Sequence, residues 1–246
     1  MGIDVEKYNK ITSANIPTQG NAKQENYDNW VTKAEGKTYI RLQDLSDEDM
    51  ECLKNNLSVV TATSITFSDM EAIYRHRGPF TTDPLLFEDL LWALAIDYQK
   101  QGIKLAEISA NYANNPAFLK IIEKNADEIY EKLGVRLLFL GVLPRNLSRY
   151  EREDCLRLFR DISAKSPYVV GIDVLADEVN STYDFMPELK SLADWATVNF
   201  PGMVIRVHAG ETAYHPENVL AVIDLAKQYP TLKFRVGHGI YGIDEA

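Results

Sequence analysis

A histidine and a glutamate stand close together at the end of a predicted strand, in the string His208-Ala209-Gly210-Glu211. A histidine that leaves a strand can present a ring nitrogen to a metal ion, and the small alanine and glycine allow a tight backbone turn. Glu211 is then directed at the same space, where a carboxylate beside a metal-bound water can take its proton and pass it on. The alternative interpretation is a core histidine next to a surface glutamate.

A second histidine, His238, stands between two glycines in the string RVGHG at residues 235–239. The flanking glycines indicate that backbone approaches closely at this strand end. The chain has four histidines, and His208 and His238 fall at the ends of consecutive predicted strands. His238 could orient a water or hydroxide or stabilise its charge, and the alternative is a structural role. The other two, His76 and His215, are predicted surface residues.

These strand ends belong to a regular alternation of strands and helices, with a period of about 30 residues that is typical of βαβ units. Apolar runs predict parallel strands at 103–108, 135–142, 168–174, 203–208 and 233–236. Proline and capping signals predict helices that begin at 84 and 148 and helices over 116–133, 187–199 and 216–229.

Two architectures fit this alternation, an open doubly wound sheet and a (β/α)8 barrel. No glycine-rich phosphate loop follows the first of these strands, which counts against a dinucleotide-binding fold. In both architectures the chemistry lies beyond the carboxyl ends of the strands. The polar residues near those ends are therefore the site candidates: Glu107, Asn111, Arg145, Asn146, Asp173, Asp177, Glu178, His208, Glu211 and His238.

The order of three motifs resembles the adenosine deaminase family, including its growth-factor-like branch. HAGE at 208–211 is followed about one βα unit later by RVGHG at 235–239. About one βα unit before HAGE, DVLADE at 173–178 resembles the family's D-L-x-G-x-E segment. The resemblance, which extends over roughly residues 60–242, implies a (β/α)8 barrel, one Zn²⁺ ion and hydrolytic deamination of adenosine or a related adenine nucleoside to the inosine product.

The resemblance also implies roles for the residues of HAGE and RVGHG. His208 would be a zinc ligand, and Glu211 would donate a proton to the purine ring nitrogen. His238 would position the hydroxide that attacks the ring carbon, after which ammonia leaves. Arg145, at an earlier strand end, matches a family arginine that lies behind the residues in contact with zinc or substrate.

Substrate contacts are implied for the third motif and for an N-terminal stretch. Asp173, Ala176 and Asp177 would bind the purine nucleoside, with Ala176 acting through its backbone N–H. The helices around residues 67–74 resemble the family's apolar lid over the ribose, and ordinary helix packing is an equally good interpretation.

The sequence departs from the family pattern at both ends of the barrel. It contains no H-x-H pair, which the family carries on its first barrel strand, and no adjacent pair of aspartates after the RVGHG strand. Ala176 replaces the family's substrate-contacting glycine. We therefore expect a partial barrel of about five of eight strands over residues 38–246, with helical residues at 45–78 and a polar extension at 1–37. Truncation is the favoured explanation, and another chain or copy could complete the barrel.

Composition limits the classes of partner. The net charge is −10 and the sequence pI is near 5.0, which disfavours a nucleic-acid partner and is compatible with a small neutral substrate. No apolar stretch is long enough to span a membrane. The two cysteines lie far apart and form no CxxC pair, which predicts free thiols and a cytoplasmic location.

Two hypotheses of different classes follow from these residues. The first is an adenosine deaminase-type hydrolase whose active site is incomplete in this chain. The alternative is a non-catalytic deaminase-like fragment or pseudoenzyme that binds a nucleoside or a protein partner. A different metal hydrolase of the wider amidohydrolase group is a third, weaker option. Stoichiometric zinc and ammonia release from adenosine would separate the first hypothesis from the second.

Overall fold

A computed structural model of the chain describes residues 2–4, 31–34, 37–41, 45–48, 50–51, 84–110 and 115–242. The contacts divide the chain into two compact units, Met1–Leu90 and Leu91–Ala246. The predicted division at residue 37 stays a prediction. Within the described ranges, no helix combines the length and the apolar character that crossing a membrane requires.

The first unit contains a three-stranded antiparallel sheet in the order β1-β3-β2. Its strands are β1 (Gly2–Asp4), β2 (Val31–Ala34) and β3 (Lys37–Arg41). The expected polar extension at 1–37 therefore carries two strands, β1 and β2, that the sequence did not predict. Strands of three to five residues are too short to reveal an alternating apolar pattern.

A helical segment of the same unit begins where the sequence predicts it. Residues 47–48 and 50–51 are helical, and the Met50 N–H donates to the Ser46 carbonyl at 2.8 Å. The rest of the predicted helical stretch, including the lid residues 67–74, lies outside the described residues, as do Cys52 and His76.

The second unit contains a five-stranded parallel sheet in the order β4-β5-β6-β7-β8, so each strand lies beside its predecessor in the chain. Helix α1 (Pro84–Lys100) precedes it. The elements that follow are β4 (Leu105–Ala110), α2 (Pro116–Leu133), β5 (Arg136–Pro144), α3 (Arg149–Asp161), β6 (Val169–Leu175), α4 (Met186–Asn199), β7 (Val204–Ala209), α5 (Glu217–Gln228) and β8 (Lys233–His238). The predicted elements from residue 84 onward are thus present, with bounds that differ by one or two residues.

The five strands form a curled half-barrel, which confirms the predicted incomplete (β/α)8 architecture. A flat sheet of five strands would hold its outer strands about 19 Å apart, at about 4.8 Å per step. Yet the Arg235 guanidinium of β8 donates two hydrogen bonds to the Glu107 carboxylate of β4, one of them 3.0 Å long. Because β4 and β8 are the edge strands of this sheet, the ion pair spans its concave face and requires the sheet to curl.

Helices α2 and α3 begin and end at the predicted signals. The Asn115 side chain accepts a hydrogen bond from the Ala117 N–H, and Gly134 ends α2 with a φ of 66°. Ser148 and Glu151 form a reciprocal capping box at the start of α3, in which the Ser148 N–H donates to the Glu151 carboxylate at 2.8 Å. These caps satisfy backbone groups that a helix end otherwise leaves unpaired, so they fix the boundaries of the helices that flank β5.

Strands β6 and β7 direct apolar side chains to one face and polar side chains to the other, as alternation in a strand requires. The apolar set is fully buried and comprises Ile172, Val174, Ile205 and Val207. Asp173 and Arg206 alternate with that set and are lateral neighbours across the ladder. The concave face of the half-barrel therefore carries the polar side chains of β6 and β7, and it is the face on which chemistry can occur.

Replacing Gly171 by alanine should disrupt the sheet, because the new Cβ would lie 1.9 Å from the Val204 carbonyl oxygen. Gly171 and Val204 are partners in the β6–β7 ladder, so the clash can be relieved only by moving backbone. We expect the free energy of unfolding to fall by about 3 kcal/mol or more. Urea unfolding followed by circular dichroism measures the change.

Gly102→Ala is the matched control for this substitution. Gly102 has a φ of 76°, but a Cβ there would meet no other atom within 4 Å, so we expect only the backbone cost of about 1 kcal/mol. Equal losses in the two variants would mean that the close approach of β6 and β7 has no energetic weight.

Candidate metal centre

The parallel ladder between β7 and β8 brings the two predicted histidines together. His208 pairs with Gly237, and Ala209 pairs with His238, so both imidazoles leave the same end of neighbouring strands. His208 Nδ1 lies 3.1 Å from His238 Nε2, and the ring centroids are 4.8 Å apart in an edge-to-face arrangement. One nitrogen of each ring therefore faces the other ring.

Glu211 completes a group of three metal-binding side chains. Its Oε2 lies 3.6 Å from His238 Nε2, and one donor atom from each of His208, Glu211 and His238 lies within 4.8 Å of the others. Two ligands at zinc distances of about 2.0–2.1 Å in a tetrahedral arrangement are about 3.3 Å apart. Among the residues that the structure describes, this is the group whose donor types and separations fit a metal ion.

Asp173 lies on the other side of the His208 ring. Its Oδ2 is 3.5 Å from His208 Nε2 and accepts hydrogen bonds from Arg206 Nη2 at 2.7 Å and from Ser109 Oγ at 2.6 Å. Burial alone would raise the pKa of this carboxyl, but the interactions with His208, Arg206 and Ser109 outweigh it and lower the pKa to about 2. Asp173 is fully buried and ionised at neutral pH, and its predicted contact with a substrate stays a prediction.

Arg145 lies behind the same histidine. The side chain is 1% exposed, and it donates hydrogen bonds to the backbone carbonyls of His208 and Asn180. Burial lowers the pKa of the guanidinium, and the nearby carboxylates of Glu178, Glu211 and Asp177 oppose that effect. The arginine thus holds the end of β7 through its main chain and contributes a positive charge beneath the acidic groups of the site.

Glu178 holds the HAGE turn from below. Its carboxylate is fully buried and accepts hydrogen bonds from the backbone N–H groups of Gly210 at 2.8 Å, Glu211 at 2.6 Å and Thr212 at 3.1 Å. The Asn218 side chain donates a fourth, at 2.7 Å. The sequence placed Glu178 among the strand-end candidates but gave it no role.

Two residues of the site have backbone conformations that side chains rarely adopt. Ala176 has a φ of 82° and His238 has a φ of 74°, both in the left-handed region that favours glycine. Such strain persists where surrounding structure imposes it, and it clusters at functional sites. Ala176 and the half-buried Asp177 lie in the loop directly after β6, on the side where the family resemblance expects the purine.

His215 connects the loop after β7 to the loop after β6. Its Nδ1 lies 2.9 Å from a Glu217 carboxylate oxygen, and its Nε2 lies 3.0 Å from the Val179 carbonyl. Both partners are acceptors, so only the doubly protonated ring can donate to both. The hydrogen bond with Glu217 accordingly raises the pKa of His215. The predicted surface histidine is therefore a bridge between two loops.

The structure adds two polar residues that the sequence did not identify as site residues: Ser109 and Arg206. Ser109 and Arg206 lie on β4 and β7, and both contact Asp173, so three strand-borne groups converge beneath His208. An arginine within an apolar strand run is a sequence signal for such a partner, because a buried cation needs an anion. The serine has no comparable signal.

Comparison with known proteins supports the fold assignment. The chain matches no known family model and no curated protein. A crystal structure of an amidohydrolase from Burkhoderia ambifaria with bound Zn is similar, with a TM-score of 0.56 and 17% sequence identity. The similarity covers 71% of this chain and 47% of that chain, so this chain spans about half the length of that structure. The likeness confirms the predicted (β/α) barrel type.

Replacing Ala176 by glycine should stabilise the protein. A left-handed φ costs a residue with a Cβ about 1–2 kcal/mol, and the extra freedom of glycine in the unfolded chain cancels part of the gain. We expect a net gain of about 0.5–1 kcal/mol in urea unfolding. Ala193→Gly within α4, where the alanine is fully buried, is the matched control and should lose about 1 kcal/mol. A loss in both variants would contradict the strain at Ala176.

The bridge at His215 should make stability depend on pH. The pKa of His215 is raised from 6.5, so its contribution is full below about pH 6.5 and is lost as the pH rises through the higher folded-state value. The pKa of Glu217 is lowered from 4.5, first by its own backbone N–H and then by His215, so its contribution is lost only as the pH falls below 4.5. The bridge should therefore stabilise most between about pH 4.5 and 6.5.

Unfolding free energies of the protein and the His215→Gln variant, measured from pH 4 to pH 9, test this window. The difference between them should shrink as the pH rises above about 6.5. Glu217→Gln should remove the same dependence, because it removes the carboxylate that stabilises the imidazolium. A difference that grows with rising pH would contradict the charged bridge.

Proposed function

We propose that this chain carries the catalytic face of a zinc-dependent hydrolase. The observation that carries the proposal is the grouping of His208, Glu211 and His238, whose donor atoms lie within 4.8 Å of one another. Imidazole and carboxylate groups are the ligands of catalytic zinc, and the carboxyl ends of barrel strands are where such enzymes hold their reactive groups. The bound Zn of the structurally similar amidohydrolase supports the same chemistry.

For the reaction we propose hydrolytic deamination of adenosine or a related adenine nucleoside, supported by the strings HAGE, RVGHG and DVLADE. His208 would hold the zinc ion, which when bound supplies Lewis acidity and lowers the pKa of a water. Glu211 would give a proton to the purine ring nitrogen, and His238 would orient the attacking water. The N–H of Ala176 would contact the purine.

Asp173 would hold the His208 ring in the protonation state that this role needs. The low pKa keeps the carboxylate charged, and it faces the Nε2 side of the ring. A proton on Nε2 leaves the lone pair of Nδ1 directed at His238 and the space beside Glu211. Because Asp173 is fully buried, we assign it to orienting His208 rather than to the purine contact that the family resemblance implies.

The exposure of the three groups is compatible with access of a small substrate. The side chains of His208, Glu211 and His238 are 26%, 20% and 31% exposed, so each keeps one side open while the strands hold the other. A neutral nucleoside also meets no charge penalty at the surface of a chain with a net charge of −10.

A second candidate function is nucleoside binding without turnover. The observation in its favour is the 3.1 Å separation of His208 Nδ1 and His238 Nε2, at which the two rings can share a hydrogen bond and satisfy each other without a metal. In that case the polar groups at the carboxyl ends of the strands would bind the purine by stacking and hydrogen bonds alone.

We also propose that another chain or copy completes the barrel beside β8. Of the strands described, β8 pairs with β7 on one side only. Val236 in β8, which faces away from the site, and Ile240 and Tyr241 just after β8 are exposed by 38%, 67% and 45%, so apolar side chains flank this edge of the sheet. A strand added there would bury it.

Metal analysis and ammonia release test the proposed function. We expect about one zinc per chain after dialysis against buffered Zn²⁺, and ammonia release from adenosine. His208→Ala should abolish both, whereas His215→Ala, a histidine outside the group of three, should retain both. Glu211→Gln should keep the zinc and lower the rate of ammonia release by about a hundredfold or more, because it removes the proton donor.

Other outcomes have defined meanings. Nucleoside binding without zinc or ammonia would reject the hydrolase in favour of the second candidate. Zinc retention with turnover of a non-purine substrate would keep the hydrolase and reject the adenine nucleoside. Loss of zinc in the His215→Ala variant would place the metal outside the group of three.

A further inference from the structure

Glu178 is a buried carboxylate of the site to which the proposed mechanism gives no role. Its side chain contacts neither solvent nor the side chains of His208, Glu211 and His238. It lies two residues after Ala176, in the loop that follows β6, yet its partners are in the turn that follows β7. One side chain thus joins the segment expected to contact the purine to the segment that presents Glu211.

The carboxylate is saturated by four donors. Oε1 accepts from the Gly210 N–H and the Asn218 side chain, and Oε2 accepts from the Glu211 and Thr212 N–H groups. Three consecutive backbone N–H groups that converge on one anion form a concave nest, and a charged acceptor makes such bonds shorter and stronger. Where a strand ends in solvent, water satisfies such N–H groups, and a buried carboxylate is not needed.

The turn needs an external anchor because of its glycine. Gly210 has a φ of 73°, and a Cβ there would lie 2.4 Å from the Tyr241 carbonyl oxygen, so the position requires glycine. Glycine leaves the backbone free to adopt many conformations. The Glu178 bonds on either side of the Gly210–Glu211 peptide remove that freedom and fix the direction in which the Glu211 side chain leaves the backbone.

We propose that Glu178 is a positioning residue of this site: through the N–H groups of residues 210–212 it sets the placement of the Glu211 carboxylate relative to His208 and His238. The inference rests on the proposed function for its catalytic meaning, and on the hydrogen bonds alone for its geometry. Glu178 touches neither metal nor substrate, and it acts through the turn that it holds.

Glu178→Gln is the informative variant, because an amide has one oxygen and one NH2 group. The NH2 group of the glutamine must then face two of the four N–H donors, to which it cannot serve as an acceptor. Two of the four hydrogen bonds are therefore lost. Glu188→Gln is the matched control. Glu188 is also a buried carboxylate, 7% exposed, and it accepts hydrogen bonds from Arg152 on α3 at 3.2 and 2.8 Å, but it takes no part in the group of three.

Cobalt(II) is the probe, since its affinity and visible absorption report ligand geometry at a zinc site. We expect both variants to lose stability to urea. Glu178→Gln should bind Co²⁺ about tenfold more weakly or worse and with an altered absorption band, because the turn that Glu178 holds directly follows the proposed ligand His208, and loss of a supporting contact has this effect at metal sites. Glu188→Gln should bind within about twofold of the parent chain, with an unchanged band. Equal Co²⁺ behaviour of the two variants would overturn the proposal.

A second readout separates this inference from the proposed function. If the parent chain binds no Co²⁺, the proposed metal site fails, and the geometry is then decided by NMR of the metal-free chain. Glu178→Gln should speed amide exchange at residues 210–212 and move the ring resonances of His208 and His238, whereas Glu188→Gln should do neither. Unmoved ring resonances in Glu178→Gln would overturn the positioning role.

Glu178→Asp keeps the test decisive if Glu178→Gln does not fold. Aspartate retains the charge and both acceptor oxygens but sets them back by one methylene. We expect a smaller loss of Co²⁺ affinity than for glutamine, about threefold to tenfold. Co²⁺ affinity and absorption equal to those of the parent would mean that the turn holds its geometry without this carboxylate.

Discussion

The close packing of His208 against Gly237 is the constraint on which the rest of the site depends. The two residues are paired in the β7–β8 ladder, and a Cβ at Gly237 would lie 3.0 Å from Cδ2 of the His208 ring. The missing side chain gives the imidazole room to lie across β8, where His238 follows by one residue. A shift of the ladder by one residue would turn every side chain of β8 to the opposite face and separate the two rings.

Buried charge beneath this pair is compensated in two different ways. Asp173 is held by side chains, namely Arg206, Ser109 and His208, so its charge belongs to a network across β4, β6 and β7. Glu178 is held mainly by backbone N–H groups, so its charge is tied to the shape of one turn. Unpaired buried charges would cost several kcal/mol each, which is why each is held by several partners. The network around Asp173 orients the His208 ring, and the hydrogen bonds of Glu178 orient the main chain of residues 210–212.

The helices and the parallel strands could be predicted from the sequence, because caps, prolines and apolar runs mark them locally. Pro116, the Ser148 capping box and the apolar runs mark α2, α3 and the parallel strands, and polar residues at strand ends must converge in a parallel sheet. The β1–β3 sheet was not predictable, because its strands are short and two of them are 27 residues apart in the sequence at their nearest ends. The anchoring role of Glu178 was not predictable, because three of its four partners are backbone N–H groups, which carry no residue-specific signal.

The role of Glu211 decides whether His208, Glu211 and His238 are three metal ligands or a site with a separate proton donor. A carboxylate that ligates a metal is held in its deprotonated form, whereas a proton donor must carry a proton, so Glu211 cannot fill both roles at once. If His208, Glu211 and His238 all bind zinc, they supply the three protein ligands of a catalytic centre but leave no acid for a purine nitrogen. Deamination therefore requires that His208, together with groups other than Glu211, holds the metal. The bonds that fix the Glu211 backbone from beneath favour that division of roles, because a proton donor must be held in place without the help of a metal.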